Sequence, residues 1–128
     1  SKDPSPRTIL VVEDDQAIRE TFVEILESEG YHVATASNGQ EGIDYLRAGI
    51  MPRLILLDLM MPVKDGFEFR AEQSGNPVWK GIPTVIMSAD DRARQRMEGA
   101  GQVEYLRKPI ELDALLNVVQ KHCDAARV

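Results

Sequence analysis

An α/β domain built on a parallel sheet with helices on both faces is what this sequence predicts, and three observations carry the prediction. Five short apolar segments alternate with five helix-like segments along nearly the whole chain. The inner apolar segments, such as residues 54–57 (LILL), are apolar at every position, as strands covered on both faces are. The two longest helical segments instead carry one apolar stripe each, which suits a helix lying on a sheet. A length of 128 residues fits one domain.

Taken in order, residues 1–7 (SKDPSPR) are polar, hold two prolines and read as a tail. TILVV (8–12) reads as a buried strand. In EDDQAIRETFVEILESEG, Ile18, Phe22, Ile25 and Leu26 fall at i, i+4, i+7 and i+8 on one helical face, and Gly30 is the stop. YHVAT (31–35) is strand-like, and SNG (37–39) is a turn before a helix containing Ile43 and Leu46. RLILL (53–57) is the third strand. The third helix is expected to end near Gln73, followed by a longer loop in which Trp79 serves as a packing anchor. IPTVIM (82–87) is the fourth strand, with Pro83 near its start, where proline is tolerated. DDRARQRMEG (90–99) is expected to be a helix, although Ala93 and Met97 are its only apolar residues. VEYLR (103–107) is the fifth strand. Beyond Lys108-Pro109, Leu112, Leu115, Leu116 and Val119 sit at i, i+3, i+4 and i+7 of a last helix. The domain is therefore expected over 8–124, with a short C-terminal tail at 125–128.

Composition narrows the function. Hydrophobic residues at 43% and charged residues at 28% are ordinary globular values, which argues against disorder or a fibrous repeat. A formal charge of −6 makes direct binding to a nucleic acid a poor expectation. No apolar run approaches the ~18 residues of a membrane span, and no signal-peptide pattern opens the chain. Cys123 is the only cysteine, so neither an internal disulfide nor a cysteine-based zinc cage can form, and a reducing cytoplasm is expected. His32 and His122 lack metal-ligand spacing and read as surface or loop residues.

Chemistry-bearing side chains recur at the strand ends. The first apolar strand leads into Glu13-Asp14-Asp15, the third into Asp58, the fourth into Ser88 and the fifth into Lys108-Pro109. In open α/β sheets, functional groups gather at the carboxyl ends of the strands. Crowded carboxylates repel, and a hard divalent cation such as Mg²⁺ relieves that repulsion. Such a cation would also screen an incoming phosphoryl group, so that Asp58 could attack phosphorus while Lys108 and Ser88 contact its oxygens. Taken singly, Asp14 or Asp15 reads equally well as a helix cap, Ser88 as a turn hydroxyl and Lys108 as a solvated charge. The ordered set of four is what departs from that bland account.

ILVVEDD (9–15), LILLDLMMPVKDG (54–66), VIMSAD (85–90) and YLRKP (105–109) together resemble the receiver domain of two-component response regulators, chemotaxis receivers among them. The resemblance spans roughly residues 8 to 122. It implies a flavodoxin-like, doubly wound sheet with strand order 2-1-3-4-5. It also implies that Asp58 is the phosphoacceptor, that Asp14 binds Mg²⁺, that Glu13 does so directly or through water, and that the Met60 carbonyl adds a ligand. Ser88 would hydrogen-bond the phosphoryl group, Lys108 would pair with it, and Tyr105 would be the aromatic switch. The donor would be a histidine kinase or histidine phosphotransfer protein, and phosphorylation would change affinity for a downstream protein. Such a domain catalyses only its own phosphorylation and dephosphorylation.

Two departures from the pattern stand out. The segment between Ser88 and Lys108 is about two residues shorter than the resemblance leads one to expect, and it holds the weak fourth helix. In the family that helix belongs to the output surface; here Arg92 and Arg96 share one side of it. Met60, two residues after Asp58, cannot orient an attacking water, so a long-lived phosphorylated state is expected. An aspartyl-nucleophile phosphohydrolase is disfavoured because such enzymes commonly need an acid at that position. A flavin or nucleotide site is disfavoured because EDDQ would repel a phosphate. A stand-alone receiver and a receiver from a larger regulator or hybrid kinase both remain open.

Overall fold

Strands and helices alternate throughout the computed structural model, which describes residues 7–97 and 103–124. The elements are β1 (Thr8–Val12), α1 (Gln16–Ser28), β2 (His32–Ala36), α2 (Gly39–Arg47), β3 (Leu54–Asp58), α3 (Gly66–Ser74), β4 (Thr84–Ser88), α4 (Asp91–Met97), β5 (Glu104–Arg107) and α5 (Leu112–Asp124). All strand pairs are parallel, in the order β2-β1-β3-β4-β5. Crossing from β1 to β3 reverses the direction of winding, and the carboxyl ends of those two strands flank the switch point.

Side-chain alternation divides the core in two. Ile9, Val11, Leu54, Leu56, Val85 and Met87 face α1 and α5, against Phe22, Leu26, Leu115 and Val119. Leu10, Val12, Ile55, Leu57 and Ile86 face the other way, against Ile43 and Leu46 of α2, Phe69 of α3, and Ala93 and Met97 of α4. Unbroken apolar runs such as Ile9–Val12 and Leu54–Leu57 follow directly from this two-sided burial. Trp79 is buried in the second cluster, as expected. Its loop is tied down by buried Gln73, whose Nε2 donates to the carbonyls of Trp79 (3.2 Å) and Ile82 (3.3 Å) and to Thr84 Oγ1 (3.0 Å).

Helix starts are set by side-chain caps. Asp15 accepts from the Ile18 amide at 3.1 Å, Asn38 from Glu41 at 2.9 Å, and Asp65 forms a reciprocal capping box with Glu68. Gly30 (φ +92°) follows α1 in the left-handed region, which is why glycine stops that helix.

Several expectations shift. β2 and β4 each begin one or two residues later than the apolar runs suggest, because Tyr31 and Ile82 pack as core residues before the ladder starts. Arg7, read as tail, is anchored: its guanidinium pairs with Asp124 at 2.8 Å and lies over the Tyr31 ring. α5 buries Leu115, Val118, Val119 and Cys123, while Leu112 is exposed and Leu116 only half-buried. His32 is exposed, and half-buried His122 pairs with Glu104 on β5. The expected helix over 90–99 is seen as Asp91–Met97; residues 98 and 99 lie outside the described residues, as do 1–6 and 125–128. Among the described residues no helix is long and apolar enough to cross a membrane.

Candidate functional site

Asp58 is the last residue of β3 and Glu13 directly follows β1, so parallel pairing of these strands sets the two acids side by side. Both are sealed from solvent, Glu13 at 1% and Asp58 at 4% exposure, whereas Asp14 is exposed at the rim. Glu13 is fixed because its amide continues the sheet ladder, donating to the Ala36 carbonyl at 3.0 Å. One carboxylate oxygen from each of Glu13, Asp14 and Asp58 falls within 4.8 Å of the others. Such a three-oxygen cluster is the donor chemistry that a hard divalent cation takes.

Lys108, immediately after β5, reaches across from the far side. Its Nζ donates to Glu13 Oε1 at 3.0 Å and to Asp58 Oδ1 at 3.2 Å. β5 is not a neighbour of β3, so the long lysine side chain spans the gap left by β4. Burial, aided by the Asp58 charge, pushes Glu13 up to about 7 against the pull of Lys108. Burial likewise raises Asp58, opposed by the lysine. Burial alone would lower Lys108, but its bond to Glu13 and the charge of Asp58 hold it above the ordinary lysine value.

Ser88 ends β4 and is also buried; its Oγ accepts from the Asp90 amide at 3.0 Å. Tyr105 of β5 is half-buried, and its hydroxyl donates to the Asp90 carbonyl at 3.0 Å. The two residues expected to form a switch are thus joined through a single peptide residue. Met60 lies beyond the end of β3 and is 70% exposed.

Three supporting features lie outside the residues the sequence pattern singles out. Arg19 of α1 donates from Nη1 to the carbonyls of Glu13 (2.8 Å) and Asp14 (3.1 Å), clamping the acidic turn. Gly66 allows close packing of α3: a Cβ there would sit 2.4 Å from the Asp58 carbonyl oxygen and 2.7 Å from Leu59 Cα. Lys64, in the loop between β3 and α3, accepts from the Gly39 amide through its carbonyl at 2.7 Å and pairs with Glu72 through its ammonium. The Lys-Asp-Gly turn could have pointed to the Gly66 contact; nothing local marks Arg19. Beside Lys108, an open apolar groove of about 550 Å³ runs between Ile18 and Phe22 of α1 and the Pro109-Ile110 turn.

Comparison with known proteins agrees with this geometry. The family model for the response regulator receiver domain matches residues 9–120. The response regulator MprA of Mycolicibacterium vanbaalenii is 37% identical over 115 residues, which cover 87% of this chain and 48% of that protein. MprA of Mycobacterium tuberculosis is 38% identical over 110 residues, covering 84% and 46%. This chain therefore spans about half the length of the curated relatives it matches. Among solved structures, a signal receiver domain of a signal transduction histidine kinase from Syntrophus aciditrophicus superposes with a TM-score of 0.84 at 29% identity, covering 92% of this chain and 90% of that one. The chemotaxis protein CheY4 of Vibrio cholerae gives 0.83 at 27% identity, covering 92% and 99%.

Proposed function

Because this chain belongs to the response regulator receiver domain family, we propose that it is a Mg²⁺-dependent phosphoacceptor switch in a two-component system, acting in the cytoplasm. Asp58 takes the phosphoryl group from a phosphohistidine of a histidine kinase or phosphotransfer protein. An Asp58 carboxylate oxygen forms the new O–P bond, the N–P bond of the donor breaks, and its electron pair stays on the imidazole nitrogen. The observation that carries this reading is a buried aspartate at a strand end, 3.2 Å from a lysine ammonium and flanked by two further acids.

Glu13, Asp14, Asp58 and the Met60 carbonyl are the groups that would hold Mg²⁺; the clustering of three carboxylates with one partnering lysine supports this fit. When bound, the cation supplies positive charge that offsets the acids and the phosphoryl oxygens. Lys108 is placed to pass from the Asp58 carboxylate to a phosphoryl oxygen, and the Ser88 hydroxyl to donate to another. The apolar groove beside Lys108 gives the donor protein a footing next to Asp58. Met60 presents no acid or amide near the acceptor, which favours slow hydrolysis.

Signal transmission follows from the shared Asp90 link. A Ser88 hydroxyl turned toward a phosphoryl group gives up the Asp90 amide, which loosens the carbonyl that holds Tyr105. Tyr105 then turns inward, and the α4–β5 surface changes for a downstream partner. Turnover of an external substrate is not part of this function.

The test is incubation with acetyl phosphate and Mg²⁺, read by intact mass. One phosphoryl group should appear on the wild type, be absent from Asp58→Asn, and disappear when Mg²⁺ is chelated. Uptake by the Asn variant, or uptake indifferent to chelation, would sink the proposal.

A further inference from the structure

We infer that Arg19 is a positioning residue for the divalent cation, holding Asp14 where its carboxylate meets those of Glu13 and Asp58. The inference rests on the phosphoacceptor reading and adds to it a residue outside the acids that sets cation affinity.

The three acids are not equally fixed. Glu13 is tied by its amide to the Ala36 carbonyl at 3.0 Å, by Oε2 to the Asp15 amide at 3.2 Å and by Oε1 to Lys108 at 3.0 Å. Asp58 is the last residue of β3, and its Oδ1 accepts from Lys108 at 3.2 Å. Asp14 is exposed, and among the described residues its carboxylate takes part in no hydrogen bond or ion pair. Yet one of its oxygens falls within 4.8 Å of the other two acids. The backbone sets that place, and Arg19 grips the backbone. Its Nη1 donates to the Asp14 carbonyl at 3.1 Å and to the Glu13 carbonyl at 2.8 Å.

The helix itself does not draw a cation to this position. A positive charge near a helix N-terminus opposes the helix dipole. Arg19 nevertheless reaches back over the start of α1, with its own amide bonded to the Asp15 carbonyl at 3.0 Å. The two carbonyls hold the guanidinium there. Glu41 of α2 stands near enough that, after the bonds from Ser37, the Arg19 charge helps keep its carboxyl below the ordinary value.

Charge and clamp predict opposite signs. As a bare charge, Arg19 repels Mg²⁺, and its removal would tighten binding. As a clamp, it spares the turn the ordering that a cation would otherwise have to impose, and its removal weakens binding. Groups that orient metal ligands typically account for about ten- to a hundredfold in affinity. Two charge-assisted bonds from a half-buried side chain outweigh a repulsion that solvent screens.

The experiment is an NMR titration of the isotope-labelled full chain with MgCl₂ at constant ionic strength, on wild type, Arg19→Ala, Asp14→Asn and the double variant. Arg19→Ala should weaken Mg²⁺ binding about tenfold. The double variant should bind no more weakly than Asp14→Asn, because Arg19 acts through Asp14. With acetyl phosphate, Arg19→Ala should take up the phosphoryl group slowly at low Mg²⁺ and approach the wild-type rate as Mg²⁺ saturates, since Asp58 and Lys108 are untouched. Arg19→Lys, one bond shorter, should fall between the two, and it carries the test if the alanine variant does not fold. Arg47→Ala, on α2, should match wild type. Unchanged or tighter Mg²⁺ binding by Arg19→Ala, or a loss that persists in full on Asp14→Asn, overturns the inference and leaves the phosphoacceptor reading intact. A wild type with no Mg²⁺-dependent shifts overturns that reading, and the inference with it.

Discussion

Glu13 links protonation to stability, and the link can be worked out from its surroundings. Burial and the neighbouring Asp58 hold its carboxyl at about 7, against 4.5 for the free side chain. Between those values, in metal-free protein, the unfolded chain has released a proton that the folded chain keeps. Stability therefore falls as pH rises through this window. The window is 7 − 4.5 = 2.5 units wide, and at ~1.4 kcal/mol per unit the loss approaches about 3 kcal/mol. Asp58, also raised, adds a change of the same sign. Lys108 is raised from an already high value, and Glu41 and Glu104 are lowered, so all three act outside the window. Urea unfolding in chelator at about pH 5 and about pH 7.5 measures the effect. The wild type should lose about 3 kcal/mol between them, and Glu13→Gln should lose only the smaller share belonging to Asp58. Mg²⁺ should flatten the wild-type slope and release protons as it binds, because it takes the ionised carboxylates. Identical pH dependence in wild type and Glu13→Gln would refute the reasoning.

Further substitutions test the surrounding structure. Gly66→Ala forces a Cβ to within 2.4 Å of the Asp58 carbonyl oxygen; a loss of about 2–3 kcal/mol in urea unfolding, with reduced phosphoryl uptake, is expected. Val63, a β-branched residue at φ +68° and exposed to solvent, is strained. Val63→Asn should gain about 1 kcal/mol, seen as a melting temperature several degrees higher. Arg70 is 7% exposed, and among the described residues its Nε and Nη1 have no hydrogen-bond partner. Burial already lowers its proton affinity, so Arg70→Met should hold stability or raise it by about 1 kcal/mol in the same assay.

Legibility followed the range of the signal. The two-sided burial of β1, β3 and β4 was readable because Ile9–Val12, Leu54–Leu57 and Val85–Met87 are unbroken apolar runs, and the Asp15 cap acts within three residues. The α5 stripe is right at Leu115 and Val119 and wrong at Leu112 and Leu116, because the larger leucines draw it away from the smaller Val118 and Cys123. Val118 and Cys123 face the sheet, while Leu112 lies at the exposed start of the helix. Cys123, read only as a marker of compartment, is a core residue with a thiol raised by burial to about 11. Gln73 and Arg19 look like solvated helix residues, because the carbonyls they hold belong to other elements. The order of site residues at the strand ends was legible. That Glu13 is sealed while Asp14 is exposed was not, since adjacent acids after a strand look alike until the sheet assigns each a side.

That assignment explains why the site holds its tension. Three acids meet one ammonium, so their charges are only partly offset. On a flexible loop, such carboxylates would drift apart into water. Here Glu13 is pinned by the ladder bond to Ala36 and Asp58 by its place in β3, while Arg19 grips the acidic turn and Gly66 lets α3 pack onto the backbone beside Asp58. Backbone movement is thus closed off as a means of relief. What remains is to take up a proton, as Glu13 does near neutral pH, or a cation, and a site built this way responds to ligands through charge before it responds through shape.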